Sequence, residues 1–288
     1  MEVTKGEHCM KAKPSQSNPP SSPVDSSGAG SGDLGTEAAA TPARGTTRIP
    51  LWFPALGAGL VAALLAWAGG EAIYPAFHYE DEAVYPANYK TLGGYQKEAM
   101  DSKIQTLARG AADRKRVAVS LGWLGFVLAG SLAWIGGRSV RSFRDRVIGV
   151  VVGGSIGAVS GAVLSWVVVP YFYRYQDPDS GLIVLFLTHA AIFAAVGSSS
   201  GLALGLGMGD RSRLGPAILG GCLGALVGTM AMEATTSLAF PLMRTFEPIA
   251  TQGVARGLSY ACVAVSTAVS CGLFAERRQD GATPRHSG

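Results

Sequence analysis

Glu233 stands in the string MAMEATTS, inside an apolar run that continues to Pro241. Ionisable side chains within a membrane span are costly and point by default to a functional site. His189 lies in a second apolar run, at a depth close to that of Glu233, and Glu71 follows a third run that ends at Gly70. Together, Glu233, His189 and Glu71 form a candidate intramembrane polar site able to take up protons or cations. Each also has a plainer reading: Glu71 as a solvated carboxylate at the membrane boundary, His189 as a ring bonded to a neighbouring helix, Glu233 as a structural hydrogen-bonding group. Of the cysteines, Cys9 falls in a polar segment, while Cys222, Cys262 and Cys271 fall in apolar ones. No C-x-x-C pair and no Cys/His cluster with zinc spacing occurs, so the expectation is no metal and no cofactor. No h-region precedes Cys9, which argues against a cleaved signal peptide.

The elements that must position these groups are membrane helices. Charged residues make up 15% of the chain, against about 25% in ordinary soluble domains. They are clustered, leaving apolar runs at 50–70, 117–137, 147–170, 182–206, 215–243 and 257–275, each near the roughly 20 residues that cross a bilayer. Only helices or closed barrels satisfy the backbone within lipid, and the runs lack the alternation of barrel strands. The predicted fold is therefore an all-α integral membrane protein of six transmembrane helices. Residues 1–48, rich in Ser, Pro, Gly and Ala, are expected to be a disordered cytoplasmic tail. Residues 49–276 form the membrane domain, with a long non-cytoplasmic loop at 71–116, and residues 277–288 form a short cytoplasmic tail. That loop opens with an acidic and aromatic stretch (Tyr79, Glu80, Asp81, Glu82, Tyr85) and then reads as a polar helix from Tyr95 to Arg109. It is either a surface flap or a binding element.

Arginines set the orientation. Arg138, Arg141, Arg144 and Arg146 crowd the second connection, Arg211 and Arg213 the fourth, and Arg44, Arg48, Arg277 and Arg278 flank the domain. Both termini are thus expected in the cytoplasm, with the protein in the cell membrane. The expected partners are membrane lipids and a membrane-protein partner or second copy. Nucleic acid is not expected, because no basic run is interleaved with aromatics.

A repeated string ties the helices together. Gly153 to Gly161 (GGSIGAVSG) and Gly220 to Gly228 (GGCLGALVG) share the pattern G-G-x-x-G-A-x-x-G, with a weaker alanine copy at Ala58, Gly59, Ala62, Ala63 and Ala66. The prolines that follow, Pro75, Pro170 and Pro241, extend the likeness. Three related hairpins in parallel orientation, suggesting a pseudo-threefold arrangement, are the expectation. Gly149, Gly153, Gly157, Gly161 and Ser165 recur every four residues, as do Gly220, Gly224 and Gly228, and Gly197, Gly201 and Gly205. Residues at that spacing share a helix face, and such small-residue rows, a glycine zipper, let backbones approach where lipid supplies no hydrophobic drive.

Six helices, a long first loop and the string Gly197-Ser198-Ser199-Ser200-Gly201 in the fourth run resemble the rhomboid intramembrane proteases. That family pairs its serine with a histidine in the sixth helix. The sixth run here (LSYACVAVSTAVSCGLF) has none, and the second lacks the family's histidine and asparagine. His189 and Ser199 sit about 15 Å apart along one helix, at about 1.5 Å per residue, too far for a dyad. Hairpins with prolines on odd helices are also similar to mitochondrial carriers. Yet Pro170 is followed by Tyr171, Phe172 and Tyr173, and Pro241 by Leu242, Met243 and Arg244, without that family's acidic and basic residues. Walker and dinucleotide motifs are missing as well. The expectation is a non-enzymatic structural or assembly component, with a small-solute or proton- or cation-coupled transporter or channel centred on Glu233 as the alternative.

Overall fold

The computed structural model describes residues 49–77, 83–139, 142–175, 181–240 and 248–281. Among them the regular elements are helical: α1 (Trp52–Ile73), α2 (Gly94–Gly136), α3 (Phe143–Tyr175), α4 (Gly181–Met208), α5 (Arg211–Ala239) and α6 (Gly253–Gly281), with short 3₁₀ turns beside them. All six include a stretch long and apolar enough to cross a bilayer, and the chain is a multi-pass membrane protein. The expected tail at 1–48, the residues Tyr79 to Glu82, Pro241 and residues 282–288 lie outside the described residues.

Each helix packs on the next, and α6 returns to α1, closing a ring; α2 also lies along α4. The apolar stretch of α2 is 72% buried and that of α3 only 22%, which makes α2 the central helix and α3 a peripheral one. The even helices do not meet equally. The α2–α4 contact is extensive, whereas α6 touches α2 only marginally.

Two expected boundaries are corrected. The first connection was expected to hold a polar helix ending at Arg109, separate from the second span. Instead, α2 is one helix of 43 residues, about 65 Å long at about 1.5 Å per residue and twice the thickness of the hydrocarbon core. Hydropathy falls between Gly110 and Arg116, but Ala111, Ala112, Arg114, Lys115 and Arg116 are good helix formers, so nothing stops the helix. The α3 span was expected to end at Pro170, yet the helix runs through that residue to Tyr175. Its last turns are held from outside. The Tyr173 hydroxyl donates to Asp113 of α2, and the Tyr173 ring lies over Gly110, close enough that an added Cβ would touch it at 3.4 Å. These contacts oppose the loss of one backbone bond at proline.

The glycine rows lie at helix contacts. A Cβ on Gly157 would run into the Gly125 carbonyl, and one on Gly125 into the Gly157 carbonyl, so α2 and α3 meet backbone to backbone. A Cβ added at Gly161 would lie 2.5 Å from the Leu121 carbonyl, and one at Gly153 2.8 Å from the Ala203 methyl of α4. Between α4 and α5, Gly197 and Gly221 face each other, and Gly201 faces the Ala217 carbonyl. A Cβ added at Gly220, Gly224 or Gly228 would lie 2.6–2.7 Å from backbone atoms of Ser270, Ser266 and Val263 of α6. A Cβ added at Gly59 of the alanine copy would lie 2.9 Å from the Ala264 carbonyl and the Ala268 methyl of α6. Gly149 differs: an added Cβ would meet nothing within 4 Å.

Candidate intramembrane polar site

His189 and Glu233 come together near one end of the bundle, the end that carries the first, third and fifth connections. His189 is eight residues past the start of α4, and Glu233 is six residues before the end of α5. Since α4 and α5 run antiparallel and pack along their length, the two side chains reach one level. The Nδ1 of His189 lies 2.6 Å from Glu233 Oε1, and Nε2 lies 3.2 Å from the Pro248 carbonyl. A carbonyl oxygen only accepts, so Nε2 carries a proton and donates it. One further proton sits between Nδ1 and Oε1. Whichever atom holds it, the pair is neutral as a unit: imidazolium with carboxylate, or imidazole with carboxylic acid. The histidine side chain is 8% exposed and the glutamate 24%, so a neutral pair avoids the desolvation of an isolated charge.

Glu71 does not join them. It is held by Arg256, in the first turn of α6, through Nε to Oε1 (3.0 Å) and Nη2 to both carboxylate oxygens (2.8 and 2.7 Å). The other terminal nitrogen of Arg256 donates to the Ala250 and Thr251 carbonyls at 2.9 and 2.8 Å. Its guanidinium also stacks on the Tyr74 ring, 3.9 Å from the centroid. All the donors of Arg256 are thereby engaged, and the residue is 4% exposed. The close approach depends on Gly253, where a Cβ would lie 3.0 Å from the Glu71 oxygens. Trp67 reinforces the join by donating to the Gly253 carbonyl at 2.9 Å.

Between the two pairs lies a cavity of about 30 Å³, lined by His189, Glu233, Arg256 and Tyr260 together with apolar neighbours. A water needs about 10–15 Å³ of such space, so one or two fit. Tyr260 is 3% exposed, and its hydroxyl lies toward Ser120 without reaching a hydrogen-bond partner among the described residues. No group of three metal-ligating side chains occurs among the described residues.

No family model, curated protein or solved structure matches this chain. The site's meaning therefore rests on its own geometry.

The serines of the fourth run lie elsewhere. Ser199 and Ser200 both donate to the Val196 carbonyl, one turn back in their own helix, at 2.9 and 2.7 Å. Sequence reasoning missed Arg256 and Tyr260. Arg256 drew no expectation from the sequence, although a lone arginine at the mouth of an apolar run needs a partner. Tyr260 follows it by four residues, on the same face, and that spacing was the available signal.

Proposed function

We propose that this chain is a non-enzymatic membrane protein, a structural or assembly component of the cell membrane with both termini in the cytoplasm. One observation supports this above all. Both intramembrane polar pairs direct their remaining donors to backbone carbonyls of a single short segment, Pro248 to Thr251. Polar groups that close on backbone in this way join α1, α4, α5 and α6 at one end, and the glycine contacts join the helices along their length. The test is flux. Purified protein reconstituted into liposomes with an internal pH dye should leak protons and monovalent cations no faster than empty liposomes.

A second reading has its own support. The cavity between the pairs has room for water and is lined by Tyr260, whose hydroxyl has no hydrogen-bond partner among the described residues, as a proton-handling site would. Proton uptake above the empty-liposome rate that disappears in Glu233→Gln would replace the structural reading with a transporter.

A further inference from the structure

We propose that the pocket between the extended ends of α2 and α3 binds the phosphate of an anionic phospholipid. The pocket has a volume of about 430 Å³ and is walled by Thr106, Gly110 and Arg114 of α2 and by Pro170, Tyr173 and Arg174 of α3. It owes its existence to the two corrected boundaries, because both helices continue past the expected membrane spans and hold each other there through Asp113 and Tyr173.

Its charge is unmatched among the described residues. The Arg114 guanidinium lies 3.9 Å from the centroid of the Trp166 ring, and its buried Nε finds no hydrogen-bond partner among the described residues. Arg174, exposed at the rim, has a ring contact with Tyr175 at 5.8 Å. Neither arginine makes an ion pair with a carboxylate among the described residues. Asp113, beside Arg114 in sequence, does not line the pocket and is engaged by Tyr173 and by Arg116 at 3.5 Å. Two arginines lining one concave surface offer a phosphate oxyanion the paired N–H donors by which arginine recognises it.

The position names the source. Arg114 precedes the apolar run of α2 by three residues, about 4.5 Å of helix at about 1.5 Å per residue, so the pocket opens at the membrane boundary. At that level a lipid headgroup phosphate can reach the arginine N–H donors, and Leu107, Ala111 and Pro170 offer apolar surface for the glycerol and first methylenes. A soluble phosphate ester shares the charge and lacks the acyl chains.

Native mass spectrometry of delipidated protein, titrated with phosphatidylglycerol or phosphatidylcholine in mixed micelles, tests the proposal. Phosphatidylglycerol should be retained at least tenfold more strongly than phosphatidylcholine. Arg174→Gln should reduce that preference about threefold, and Arg114→Gln with Arg174→Gln should abolish it. Arg174 is exposed, so its variant should keep the wild-type melting temperature and remain informative if the double variant misfolds. Equal retention of both lipids, or an undiminished preference in a folded Arg174→Gln protein, would overturn the site. If glycerol phosphate binds as tightly as the lipid, the lipid source is overturned and a soluble phosphate ligand takes its place.

Discussion

At the scale of single residues, the His189–Glu233 pair and Arg256 differ in what a substitution leaves behind. In Glu233→Gln the side-chain amide can donate to an unprotonated Nδ1 while Nε2–H still reaches the Pro248 carbonyl, so both bonds and the neutral charge survive. That variant should melt within about 0.5 kcal/mol of wild type, the scatter of innocuous changes. Glu233→Ala strands Nδ1 in a buried site and should cost about 1–3 kcal/mol; equal stability of the two variants in reversible detergent unfolding would contradict the bonding scheme. Removing Arg256 breaks more contacts, since Glu71 loses its ion pair and two carbonyls lose their donor. Arg256→Met should destabilise by about 1–3 kcal/mol, the cost of carbonyls left without a donor, because the Glu71 carboxylate left behind is 37% exposed, and adding Glu71→Gln should recover part of that loss. Outside the membrane, Tyr89 donates to Asp101 at 2.5 Å, and this bond, aided by the nearby carboxylate charge, pushes the phenol up to about 12. A raised phenol keeps its proton longer in the folded state than in the unfolded one. The contribution is therefore complete below about pH 10, the usual tyrosine value, and is lost as pH rises through about 12. Tyrosine-ζ carbon NMR should show the Tyr89 resonance, assigned by its loss in Tyr89→Phe, titrating late, and Asp101→Asn should bring it back toward the ordinary range.

At the scale of elements, one helix holds opposite outcomes for the same substitution. Gly149 and Gly157 belong to the same four-residue row of α3, yet an alanine methyl meets open space at the first and the Gly125 carbonyl at the second. Gly149→Ala should be neutral or stabilising by roughly 0.5–1 kcal/mol, the helix preference for alanine. Gly157→Ala should cost about 1–3 kcal/mol through overpacking. Matching shifts in the melting temperature of both would show that the α2–α3 contact is looser than it stands here. The row was legible in the sequence because periodicity is local, but where it stops facing a neighbour was not, because that depends on the path of another helix. The extension of α2 was hidden for a related reason. Charges at Arg114 to Arg116 mark the edge of the hydrocarbon, and hydropathy equates that edge with the end of the helix.

At the scale of the molecule, six spans were readable from apolar runs alone, since bilayer thickness fixes their length whatever they pack against. The meeting of His189 with Glu233 was readable from shared depth. The meeting of Glu71 with Arg256 was not, because its partners lie 185 residues apart and depth does not choose among candidates. Orientation remains an expectation carried by the arginines of the second and fourth connections. In a cysteine-free background, Tyr95→Cys on the α2 extension should react with an impermeant maleimide on intact cells, and Ser142→Cys only after permeabilisation. The reverse pattern would invert the protein and place the phosphate pocket in the other leaflet.

The pairing of Glu71 with Arg256 also has a consequence in time. The carboxylate belongs to α1 and the guanidinium to α6, separated by 185 residues. At about 5–20 residues per second of synthesis, Glu71 waits on the order of 10–40 seconds for its counter-charge. During that interval nascent α1 carries an acid at its trailing edge whose guanidinium partner has not been made. Helix α6 therefore arrives as a latch that neutralises a defect left open by α1, and a ribosome stalled before residue 256 holds a protein still unfastened at that end.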